Sequence, residues 1–236
     1  MARKLSDPPL CHPALPKFHR IAHYDILQVP PVSKGRLEAF SDGVIAILIT
    51  IMVLELKVPQ GTDWSALRPL IPVLLTYVLS FVFLGIYWNN HHHMLHLADR
   101  INGKILWANL HLLFWLSLIP FVTGWMGENH LAPIPTAVYG GVLLLAAVAY
   151  LILQAAIVAE QGRKSKLAAA VGKDVKGKLS LGLYILAIPF AFASQWVAVV
   201  IYILVALLWL IPDRRIESNV KGREEKHDAA DAGGSV

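Results

Sequence analysis

Long apolar runs, each close to the length that crosses a bilayer and set off by basic or polar connections, constrain this chain more than any other feature. About 20 predominantly apolar residues in a helix span the hydrocarbon core. Six segments qualify: Leu37 to Val58, Leu67 to Leu97, Ile105 to Trp125, Ala132 to Ala159, Leu179 to Ala193 and Trp196 to Ile211. The last two form one apolar stretch too long for a single span, so Ala193-Ser194-Gln195 is expected to turn the chain between them. The expected fold class is therefore all-α: a polytopic membrane protein with six transmembrane helices per chain.

Charge supports the same reading. Only 16% of residues are charged, against about 25% in a soluble domain. A net charge of +5 would suit nucleic acid, but its placement argues for a lipid bilayer as the partner and against nucleic acid. All but two of the 21 lysines and arginines lie before the first segment, between the second and third, between the fourth and fifth, or after the sixth. Lys57 and Arg68 alone fall on the other side. The positive-inside rule then puts both termini in the cytoplasm of a multi-pass cell-membrane protein. Trp64, Trp88, Trp125, Trp196 and Trp209 near segment ends suit interfacial belts. Residues 1–33, with six prolines and no apolar run of signal-peptide length, read as a flexible cytoplasmic tail. Residues 34–212 form the membrane domain and 213–236 a polar cytoplasmic tail. Cys11 is the single cysteine, so no intrachain disulfide is possible. No tandem repeat is visible, so the symmetry of any pore has to come from several chains.

Two groups of residues on these segments carry chemistry. At about 100° per residue, Gly43, Ile47, Thr50, Ile51, Leu54 and Val58 share one stripe of the first helix. Its glycine permits close approach and its hydroxyl offers an oxygen. Such a stripe either packs against another helix, with Thr50 bonded back to its own backbone, or lines a path. Asp42 points about 140° away from Ile47, and a carboxylate inside a bilayer needs partners. It is expected to be buried against the second or third helix, in one layer with Arg36, Ser41, Trp88, Asn89, Asn90, the His91-His92-His93 run, Asn109 and His111. Such a network locks helices together when every polar group is satisfied.

Other chemistries are weaker. His92 and His96 have the spacing that puts two imidazoles on one helix face, but no glutamate completes a zinc-protease pattern, so no metal and no cofactor is expected. Phosphate-binding loops and nucleophile elbows are absent, which argues against an enzyme. The Thr-Val-Gly-Tyr-Gly filter of common potassium channels is missing too; Val138-Tyr139-Gly140-Gly141 only opens the fourth helix. A secondary transporter would call for broken helices, midplane charge and repeats, whereas the charge here gathers near one face. A membrane-bound metal or redox protein using the second-helix histidines is the other alternative.

Arg36 followed by Phe40-Ser41-Asp42-Gly43 and Ala46-Ile47-x-x-Thr50 resembles the signature of the transmembrane-protein-175 family of potassium channels. Trp88-x-x-His91-His92, Asn109-Leu110, Pro120-Phe121-x-Thr123 and Gly127-Glu128 follow in the expected order, and the resemblance runs from Lys34 to Pro212. It implies a homotetramer without a re-entrant loop, with the first helix of each six-helix subunit lining a central pore and potassium as the permeant ion. Ile47, Ile51 and Leu54 would form apolar constrictions, Thr50 a hydroxyl ring and Gly43 part of the same face. Arg36, Phe40, Ser41, Asp42, Trp88, His91, His92 and Asn109 would form the polar network behind them. Selectivity for potassium over sodium would be modest.

Overall fold

The computed structural model describes residues 33–162, 165–171 and 174–210. The expected tails lie outside the described residues, apart from Ser33. Every regular element among the described residues is helical. That suits a chain in hydrocarbon, where a helix satisfies its own backbone polar groups.

The first apolar segment forms α1 (Lys34–Ile51). It does not run on to Val58 as expected, but tightens into a 3-10 turn at Met52–Glu55. The β-branched run of Ile49, Thr50, Ile51 and Val53 has low helix propensity, and Pro59 lies just ahead. The second segment likewise opens as a 3-10 stretch, Trp64–Leu70, containing Pro69, before α2 (Ile71–His96).

The third segment, expected as one helix, is α3 (Gly103–Ser117) and α4 (Ile119–Glu128), parted at Leu118. Pro120 is the cause, because it has no N–H to offer the carbonyl of Leu116 and its ring crowds that turn. Asn102 caps α3, its side chain accepting from the Ile105 N–H at 3.0 Å. The fourth segment is α5 (Pro133–Gln161), with proline in its first turn. A short α6 (Lys166–Val171), not expected from sequence, precedes α7 (Val175–Ala193). Asp174 caps α7 through the Gly177 N–H at 3.1 Å. Ser194 alone breaks the helix, in extended backbone, before α8 (Gln195–Leu210), so the turn falls where it was expected.

Among the described residues five stretches are long and apolar enough to cross a membrane: Lys34–Leu54, Trp64–His96, Gly103–Glu128, Pro133–Gln161 and Val175–Ala193. The 16 residues of α8 reach about 24 Å, somewhat short of a core about 30 Å thick.

Helix α5 is central, packed against α3, α4, α7 and α8, while α1 lies on α2 and α3. Between α2, α4 and α5 runs a buried chain of hydroxyls. Thr123 donates to the Ile119 carbonyl at 2.6 Å, which spends its only proton. Ser80, 2.6 Å from Thr123 Oγ1, must therefore donate to it and receive from Tyr139, 3.0 Å away. Tyr202 on α8 donates to the Thr136 carbonyl at 3.0 Å, directly over Gly140. At the opposite end of α1 from its N terminus, Lys57 pairs with Glu128 at 2.6 Å.

Candidate functional site

Helix α1 presents two unlike faces. Leu37, Ser41, Ile45 and Leu48 are buried against the rest of the chain, and Met52 continues that face into the 3-10 turn. On the far side, Ile47 is 59% exposed, Ile51 38% and Leu54 78%, with Gly43 and Thr50 exposed between them. Among the described residues the stripe is thus the face that α1 turns away from the rest of the chain, which argues against intrachain helix packing as its explanation. Because a 3-10 helix has three residues per turn, Leu54 stands almost directly over Ile51, so the tightened end keeps the stripe in line.

Thr50 sits in the middle of this face. Its hydroxyl donates to the Ile47 carbonyl at 2.9 Å, the back-bond expected of a hydroxyl on an apolar helix. With the proton turned inward, the oxygen presents only lone pairs outward. An outward lone pair can accept from water or contact a cation.

Behind the stripe, polar groups tie α1 to α2 and α3. Asn109 on α3 donates through Nδ2 to Ser41 Oγ at 2.9 Å, which leaves its Oδ1 facing His91 Nε2 at 2.7 Å. Since Oδ1 can only accept, His91 Nε2 carries the proton in this contact. All three residues are buried, and His91 Nδ1 has no hydrogen-bond partner among the described residues. A second tie is half-exposed: Trp88 Nε1 donates to Asp42 Oδ1 at 3.1 Å. A third lies at the N terminus of α1, where Lys34 reaches the His96 carbonyl at 2.7 Å and Glu38 at 3.8 Å.

The expected network is thus assembled in part and corrected in part. Ser41, His91 and Asn109 come together in one buried chain, and Asp42 meets Trp88. Asp42 is half-buried rather than buried, because its partner is the edge of an exposed indole. Arg36 and Phe40 are exposed, turned about 140° and about 100° around α1 from Ser41, and join neither group. His92 is exposed and stacks between Trp88 and His96, with ring centroids 6.0 and 6.3 Å away. His111 is exposed as well and accepts from Trp115 Nε1 at 2.9 Å, one turn along its own helix. Asn90 turns back to the Ile86 carbonyl at 2.8 Å. Among the described residues no three His, Cys, Asp or Glu side chains converge as metal ligands. Sequence reading missed Lys34, although a lysine at the start of one helix beside the end of another is a usual partner for orphan carbonyls.

The sequence model of the family described as endosomal/lysosomal potassium channel TMEM175 matches residues 36–120, the stretch that carries the stripe and the groups behind it. A potassium channel of Chryseobacterium sp. (strain P1-3) is 53% identical over 190 residues, 80% of this chain and 99% of that protein. One of Chamaesiphon minutus is 31% identical over 202 residues, 79% of this chain and 98% of the relative. The crystal structure of a lysosomal potassium-selective channel TMEM175 homolog from Chamaesiphon minutus superposes with a TM-score of 0.66 at 31% identity, covering 75% of this chain and 96% of that one. Identity of this order over nearly the full length of both relatives, with the same helical fold, makes this chain a member of the TMEM175 family.

Proposed function

We propose that this chain is one subunit of a potassium channel of the cell membrane, in which four copies surround an axis and α1 of each lines the pore. The observation that carries this reading is the bare face of α1, with Ile47, Thr50, Ile51 and Leu54 exposed while the opposite face is pinned by packing and by Asn109. Relatives named as potassium channels match almost end to end. In this arrangement the spans are the five long stretches together with α8, and both termini lie in the cytoplasm, as the basic connections require.

Conduction is passive and needs no cofactor. Rings of Ile47, Ile51 and Leu54 narrow the path and exclude water until they part, while Thr50 oxygens replace some of the hydration shell of a passing cation. A hydroxyl ring replaces hydration only partly, so potassium is preferred over sodium modestly. Potassium flux from liposomes holding the purified protein, with sodium as the comparison, tests the reading. Faster potassium than sodium flux, absent from empty liposomes, is expected; no protein-dependent cation flux at all overturns it.

A further inference from the structure

Away from α1, helices α2, α5, α7 and α8 enclose a cavity of about 490 Å³, part of it open to the outside, near the end of the bundle where Asp174 caps α7. Its enclosed part has room for about three water-sized positions, the bulk of one small ring. Phe83, Tyr87, Tyr150, Tyr184 and Trp209 supply most of the wall. Two of the polar wall groups are already engaged. Trp209 Nε1 donates to Ser180 Oγ at 2.8 Å, and Tyr150 OH reaches the Asn90 carbonyl at 3.5 Å.

Tyr87 and Tyr184 are different. They are only 9% and 3% exposed, yet neither hydroxyl has a hydrogen-bond partner among the described residues. Both residues line the cavity, and neither hydroxyl is a sealed, unpartnered atom of the kind that His91 Nδ1 is. Buried hydroxyls without partners are uncommon and call for a ligand or water. Mostly apolar walls with a few convergent polar groups are the usual build of a small-molecule site.

The charge around the opening selects among ligands. Asp174 already accepts from Gly177 N–H at the start of α7. The amide dipoles there and the lysines at 176 and 178 in the first turn disfavour an ammonium group. An anion would meet the Asp174 carboxylate. A neutral hydroxyl, which both donates and accepts, fits two unpartnered tyrosine hydroxyls.

We propose that this cavity binds a small neutral alcohol or phenol, its hydroxyl bonded to Tyr87 and Tyr184 and its apolar body among the aromatic walls. Asn90 in the wall directly precedes His91, so the site adjoins the bonds that hold α1. Fluorine NMR of 4-fluorophenol titrated into the purified protein reads binding without ion flux, so the result stands apart from conduction. Saturable binding to the wild type is expected. Ala147→Leu, which fills the cavity, should abolish it, and the double variant Tyr87→Phe, Tyr184→Phe, which keeps both rings, should weaken it about tenfold. Fluorobenzene, which lacks the hydroxyl, should bind the wild type about tenfold more weakly than 4-fluorophenol. Absence of saturable binding means that the cavity holds only water and overturns the proposal. Equal binding to Ala147→Leu places the ligand elsewhere, and equal affinity for fluorobenzene or for the tyrosine double variant removes the hydroxyl recognition; either result overturns it too.

Discussion

Asn109 joins three helices with two hydrogen bonds, one to Ser41 on α1 and one to His91 on α2. Asn109→Leu keeps the volume roughly but strips both bonds from a dry interior. Two orphaned partners would suggest a loss of about 1–3 kcal/mol each, but interhelical bonds in membranes average about 0.6 kcal/mol. A combined loss of about 2 kcal/mol is expected, read as a lower unfolding temperature of the detergent-solubilised protein. An unchanged transition would mean that these two bonds contribute nothing to holding α1. Close approach is as demanding as hydrogen bonding. A Cβ on Gly127 would lie 2.5 Å from Thr76 Oγ1 and 2.8 Å from Val73 Cα, and the second atom is backbone that cannot swing aside. Gly127→Ala should therefore push α4 off α2 and cost about 1–3 kcal/mol, measured the same way, whereas Gly141→Ala, with open space at its Cβ, should not. Sequence spacing brought Ser41, His91 and Asn109 to one depth because depth is a matter of counting turns. It put Arg36 and Phe40 with them because depth says nothing of azimuth, and on α1 both are turned away from Ser41 and exposed.

Element boundaries divide in the same way. The turn at Ser194 and the start of α5 at Pro133 were legible because a single polar interruption or proline marks each. The 3-10 end of α1 and the break at Leu118 were not, since hydropathy runs straight through both and only backbone sterics interrupt them. The stripe on α1 was legible as a stripe, but three-sided apolarity hid which face was bare until α2 and α3 were seen to occupy the other. Two variants ask what that face does. Ile47→Asn sets an amide where the side chain is now 59% exposed, so the fold loses little packing and folded yield should hold. In a ring of copies it wets an apolar constriction, so potassium conductance should rise and preference over sodium fall. Thr50→Val keeps the shape and removes the oxygen that its back-bond now turns outward, so selectivity should weaken while assembly persists. Flux of both cations, normalised to folded protein, measures both; unchanged selectivity in the two variants would take the filter off α1.

One chain presents one copy of the stripe, and one helix cannot enclose an aqueous path, so the function proposed exists only in a closed ring of copies. Exposure in a single chain is also what a lipid-facing residue shows, and Leu186 on α7 and Ile203 on α8 are 54% and 42% exposed without any claim to a pore. Water separates the two cases, since a lipid-facing side chain never meets it. Cys11 is the single cysteine, so Cys11→Ser gives a background in which an introduced thiol is the only one present. In that background Ile47→Cys, Thr50→Cys and Leu54→Cys should react with a charged, membrane-impermeant thiol reagent in liposomes. Leu186→Cys and Ile203→Cys should stay inert, because a thiolate does not form in hydrocarbon. Around an axis the copies of residue 54 also approach one another, so mild oxidation of Leu54→Cys should link subunits in pairs, and the native mass of the solubilised complex should be four times that of the chain. Reactivity at 47, 50 and 54 no greater than at 186 and 203, together with a monomeric mass, would leave α1 as a helix that faces lipid and the chain without a pore.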